Sequence, residues 1–134
     1  MIPREETKYI MVTAIGEAMT RDEIAWRGRR YGWMDAGCHY IVSAAGVVHA
    51  ERAHHLVAPS GRPHNHVSVV VVMAGAAPFN PDMMRGLEAL VSDLEAKYPD
   101  AVTLGQSDLP GTRPNLPGFD VRAWATGLRA MRGL

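Results

Sequence analysis

Hydrophobic positions along this chain fall in short runs that alternate between two periods. Residues 8–15, KYIMVTAI, are mostly β-branched or apolar and are bounded by charge and by Gly16, which predicts a buried strand. Thr20 and Glu23 then make a T-x-x-E capping box, which predicts a helix running to about Tyr31. Residues 43–51, SAAGVVHAE, read as a hairpin turning at Ala45-Gly46 and returning through Val47 and Val48. Residues 67–73, VSVVVVM, are almost unbroken β-branched sequence, the signature of a central strand covered on both faces.

The second half of the chain repeats the alternation. Asn80-Pro81 places an N-cap residue before a proline at the first helical position. Met83, Leu87, Leu90, Val91, Leu94 and Tyr98 follow at spacings of three and four, so a long amphipathic helix is predicted up to Tyr98-Pro99-Asp100. Residues 101–104 read as a short strand, and a last helix is predicted from the Asp120 N-cap to about Met131, with Val121, Trp124 and Leu128 inward. Between them lies a loop punctuated by glycine and proline, residues 104–121, LGQSDLPGTRPNLPGFDV. The fold class expected is α/β: a single domain over residues 1–134, with a mixed central β-sheet flanked by about three helices.

Composition narrows the partners. The chain has 134 residues with 47% hydrophobic and 21% charged side chains, enough to bury a core without staples. Its 14 basic and 14 acidic side chains balance, so neither a nucleic acid nor a membrane is expected as partner. Cys38 is the single cysteine, which excludes an intramolecular disulfide. The opening MIPREETKYI carries charge where a signal peptide needs an apolar core, so synthesis in the cytoplasm is expected, with incorporation into a virion as the further expectation.

Three groups of side chains carry candidate chemistry. His49, His54, His55, His64 and His66 crowd into one polar stretch, but a metal site needs three of them on one centre with supporting partners. Arg21, Arg27, Arg29 and Arg30 cluster on the first helix, where a solvated face is the ordinary reading and a docking patch for an anionic partner the sharper one. Cys38 lies among Ala36, Gly37, Tyr40 and Ile41, which promise burial without a charged activator.

The loop and two further stretches resemble the type 2 N-acetylmuramoyl-L-alanine amidases, which include bacteriophage lysozymes of the amidase kind and peptidoglycan recognition proteins. That family reads G-H-x-D-L-P-G and then K-x-C-P-G-F-D-V in the loop. Here Gly105, Asp108, Leu109, Pro110, Gly111, Pro117, Gly118, Phe119, Asp120 and Val121 stand in register. Residues 31–42, YGWMDAGCHYIV, resemble the family's GW-x-D-I-G-Y-H-Y/F-x-I, and Asn65 and Ser68 match a third motif. The resemblance implies a Zn²⁺ site of two histidines and a cysteine or histidine, with a water that attacks the amide between muramic acid and L-alanine.

At the positions where the resemblance places the metal ligands, this chain has Thr13, Gln106 and Leu116. Pro114 stands at the family's lysine, Cys38 at its tyrosine and Ser60 at a further histidine. A threonine hydroxyl stays protonated near neutral pH, and leucine has no donor atom. The expectation is therefore a catalytically degenerate protein, not an enzyme, that holds no metal and no cofactor. Thr13, Cys38, Ser60, Asn65, Gln106, Arg113 and Leu116 would line its vestigial cleft. Its expected partners are other phage or bacterial proteins, as in a virion or tail, or peptidoglycan fragments. The alternatives are an active amidase with a relocated histidine metal site and a regulatory module that binds another protein.

Overall fold

The computed structural model describes residues 2–133. Five strands, β1 (Tyr9–Ala14), β2 (Tyr40–Val42), β3 (Val48–Ala50), β4 (Ser68–Met73) and β5 (Val102–Gly105), form one sheet in the order β3-β2-β4-β1-β5. β1 runs parallel to both β4 and β5, β2 runs parallel to β4, and only the β2–β3 hairpin is antiparallel. The sheet is thus mixed, and the valine-rich β4 lies at its centre with every residue buried. Val67, expected to open that strand, belongs instead to a 3₁₀ turn (Asn65–Val67), in which its amide bonds to the His64 carbonyl.

Three helices cover the two faces. α1 (Arg21–Arg30) starts on the predicted capping box, in which the Glu23 amide bonds to Thr20 Oγ1 and the Thr20 amide to the Glu23 carboxylate. α2 (Pro81–Lys97) is capped by Asn80 and α3 (Val121–Met131) by Asp120, as their sequences require.

Side-chain alternation along β1 decides what each face holds. Ile10, Val12 and Ala14 join Val69, Val71 and Met73 beneath α2 and α3, packed against Leu87, Leu90, Val91, Leu94 and Val121. Met11 faces the other way, with Ile41, Val70, Val72 and Leu104, beneath Ile24 and Ala25 of α1. Thr13 follows Met11 by two and shares that second face.

α1 sits close to the backbone that follows it. A Cβ added at Gly28 would lie 2.0 Å from the Asp35 carbonyl oxygen, so only glycine lets the 35–36 turn pack against the helix. That turn is held from the other side by Asp35, whose carboxylate takes two hydrogen bonds from the buried Arg52 guanidinium, at 2.7 and 3.1 Å.

Candidate functional site

A cleft of about 250 Å³ opens on the α1 side of the sheet, beyond the C-terminal ends of β1 and β5. This is where open α/β sheets commonly place their ligands. Thr13 near the end of β1 and Gln106 just after β5 form its floor. Trp33, Tyr31 and Arg27 make one wall; Ser60 and Arg62 lie on another side, and Thr112, Arg113 and Leu116 come from the long loop.

The floor is a closed hydrogen-bond knot. Thr13 Oγ1 donates to Gln106 Oε1 at 2.6 Å, and both residues are buried. Gln106 Nε2 donates to the Ser60 carbonyl at 3.0 Å, and Ser60 Oγ donates to the Gly37 carbonyl at 2.7 Å. The Gln106 carbonyl in turn accepts from Thr112 Oγ1 at 2.7 Å. One side chain therefore ties together β1, the 3₁₀ turn Pro59–Gly61 and the loop after β5.

The walls are aromatic and basic. Trp33 packs on Gly37, where an added Cβ would lie 2.3 Å from the indole and where the backbone has φ +76°. Arg27, Arg62 and Arg113 all line the cleft, and among the described residues no carboxylate does. Arg27 reaches Glu17 at 3.7 Å, while Arg62 and Arg113 are exposed. The arrangement can accept a ligand with a carboxylate and an amide-rich chain, through guanidinium donors for the carboxylate and hydroxyl oxygens that can still accept from amides, above the polar floor of Thr13 and Gln106.

Of the expected site residues, Thr13, Ser60, Gln106, Arg113 and Leu116 meet in this cleft. Cys38 does not: it is fully buried beneath the sheet with Met11, Ile41 and Val70. Burial, foremost, and then the negative charges of Glu51 and Asp35 push its thiol pKa well up. Asn65 is also outside the cleft lining, at the start of the 3₁₀ turn before β4. Sequence reasoning missed Arg27 and Arg62 as cleft residues. Arg27 was visible only as one member of a basic cluster, and Arg62 carried no signal.

At the positions where the resemblance places metal ligands, the side chains present do not fit zinc. Thr13 and Gln106 spend their oxygens on each other, and Leu116 brings a hydrocarbon side chain, packed against the cluster under α2 and α3. The histidines do not converge on a replacement, and among the described residues no group of three His, Cys, Asp or Glu could hold a metal ion. His64 Nε2 donates to the Pro110 carbonyl at 2.8 Å, and His54 is held between the hydroxyls of Tyr40 and Tyr98. His39 is a core residue. Its Nδ1 accepts from the Val70 amide at 2.9 Å and its Nε2 donates to the Leu56 carbonyl at 2.7 Å, while burial pushes its pKa down to about 4.

Comparison with known proteins agrees with the geometry of the scaffold. Residues 3–119 match the family model described as N-acetylmuramoyl-L-alanine amidase. The endolysin of Klebsiella phage KP32 is 30% identical over 133 residues, covering 90% of this chain and 87% of that protein. Among solved structures, N-acetylmuramoyl-L-alanine amidase LysC from Clostridium intestinale superposes with a TM-score of 0.78 at 20% identity, over 96% of this chain and 86% of that one. Drosophila peptidoglycan recognition protein SD superposes with a TM-score of 0.74 at 16% identity, over 94% and 83%. The expectation of a chain that is not an enzyme is overturned here, because the relative aligned across nine-tenths of it is an endolysin and the matching family is one of amidases.

Proposed function

The chain belongs to the N-acetylmuramoyl-L-alanine amidase family, and from that premise we propose that it is directed at bacterial peptidoglycan, taking a muramoyl peptide into the cleft above Thr13 and Gln106. The observation that carries this reading is the composition of the cleft. Among the described residues, three guanidinium groups and no carboxylate line a space at the strand ends, in a scaffold shared with a phage endolysin over nine-tenths of the chain. A peptidoglycan stem peptide is anionic and rich in amides, so its carboxylates pair with Arg113 and Arg62 while its backbone lies along the threonine and serine hydroxyls. Trp33 supplies a flat apolar wall for the sugar or the alanine methyl.

Thr13, Gln106 and Leu116 bind and shape in this reading, and water activation is not assigned to a metal held by them. Another phage or bacterial protein, the other expected partner, would find little exposed apolar surface on the glycine- and proline-punctuated loop 104–121. Pro117 is buried and Leu116 half-buried against the core, which leaves Pro110 and Pro114 exposed.

The test is calorimetric titration with N-acetylmuramoyl-L-alanyl-D-isoglutamine, with and without chelator. Saturable binding is expected, unaffected by chelator, and lost when Arg113→Glu reverses the charge at the mouth. Absence of binding by the unaltered protein would sink the reading. Release of amino termini from purified cell walls, followed in the same samples, reads hydrolysis, the activity in the family's description.

A further inference from the structure

The cleft does not end at Tyr31. On the exposed side of α1 and the turn after it, Trp26 and Tyr31 are each 56% exposed and Met34 is 75% exposed, a large apolar display for a surface with so many charges. Two arginines, each about one helical turn away, order the rings: Arg30, four residues after Trp26, lies 5.0 Å from the centre of that ring, and Arg27, four residues before Tyr31, lies 5.7 Å from that of Tyr31. Tyr31 also meets Trp33 edge-on at 5.1 Å. Arg27, Tyr31 and Trp33 line the cleft as well, and Arg30 follows Arg27 by three residues on α1, a spacing that makes the two neighbours on the helix surface, so the Trp26–Arg30 pair borders the cleft wall.

We propose that this face, centred on Trp26, Tyr31 and Arg30, is a platform for the glycan strand of peptidoglycan, extending the cleft from the peptide stem to neighbouring sugars. The inference rests on the reading of the cleft as a muramoyl-peptide site. An amino sugar presents an apolar C–H face and a polar rim, which an exposed indole beside guanidinium donors complements. The strand also carries carboxylates on successive stems, and Arg29 and Arg30 are exposed beside the rings to meet them. Trp, Tyr and Arg are the side chains that most often concentrate binding energy in an interface. Here they are ordered by mutual contact rather than by burial, so they are available to a ligand at little further cost in side-chain entropy.

The experiment compares two probes, purified insoluble sacculi and soluble N-acetylmuramoyl-L-alanyl-D-isoglutamine, on the full chain and on a Trp26→Ala/Arg30→Ala variant. Neither altered residue lines the cleft. The expected result is an affinity for sacculi reduced about tenfold with unchanged affinity for the soluble muramoyl peptide. Trp26→Phe, which keeps a stacking ring, should recover most of the loss, and this variant keeps the test valid if the double variant proves unstable. Sacculus binding unchanged in the double variant overturns the platform. If the unaltered chain does not bind sacculi, the platform also fails, and binding of the soluble peptide then decides separately whether the cleft reading stands. Loss of sacculus binding that Trp26→Phe fails to recover also overturns it, since a stacking surface is indifferent to which aromatic ring it uses.

Discussion

Thr13 and Gln106 stand 93 residues apart in sequence and share a buried hydrogen bond of 2.6 Å. Gln106 continues the chain of contacts to Ser60, so the bond couples the end of β1 to the turn at residues 59–61 and to the loop after β5 at the cleft floor. Thr13→Val keeps the shape and leaves Gln106 Oε1 buried without a donor, which costs about 1–3 kcal/mol. Gln106→Leu should cost at least as much, because it also strands the Ser60 carbonyl. The double variant should be less destabilised than the two singles added, by about 1 kcal/mol, in a denaturation cycle. Strict additivity would mean that the bond does not hold the floor.

The same pair predicts the response to metal. Adding Zn²⁺ or a chelator should leave the melting temperature unchanged, and elemental analysis should find far less than one zinc per chain. Thr13→His with Gln106→His and Leu116→Cys places imidazole and thiolate groups at the three positions, and it should make melting zinc-dependent. One zinc per unaltered chain would contradict the fit described for Thr13, Gln106 and Leu116.

His39 predicts a dependence on pH. Its folded pKa of about 4 lies below the ordinary value of 6.5, because burial, above all, opposes the charged ring. The unfolded chain therefore takes up the proton first as pH falls. Stability contributed by the neutral ring is whole above about pH 6.5 and is lost as pH drops towards 4. Denaturant midpoints measured between pH 7 and 4.5 should fall more steeply for the unaltered protein than for His39→Gln, which cannot titrate. Parallel curves would remove His39 as a source of acid sensitivity.

Cys38 should react slowly with thiol reagents in the native state. Its thiol is buried and its pKa raised, so both access and thiolate are scarce. Labelling should become fast and stoichiometric only in denaturant. Rapid labelling of the folded chain would place Cys38 on an opening that the structure does not show.

Much of the fold was legible because it is written locally. The four consecutive valines of β4, residues 69–72, leave neither face of the strand polar, so its burial at the sheet centre follows from composition. The caps at Thr20, Asn80 and Asp120 satisfy backbone donors within three residues of themselves, and each helix starts where its sequence says. The loop motif identified the family for a similar reason, since its glycines and prolines constrain their own backbone.

The cleft depended on relationships that no local pattern carries. Thr13 and Gln106 were named as occupants of metal positions, yet their bond to each other required β1 and β5 to pair in parallel at one register. Cys38 and Asn65 were expected beside them and are not there, because the path of the chain, not the motif, decides which side of a turn meets solvent. Arg62 entered the cleft unannounced, from a connection whose sequence has no period to read. Local sequence by itself determined the three helices with their caps, the strands β1, β4 and β5 and the family, since short-range sterics and burial dictate those, whereas β2 (Tyr40–Val42) lies before the hairpin expected over residues 43–51. Which side chains converge was decided only in the tertiary structure, where sheet register and loop closure bring together groups separated by most of the chain.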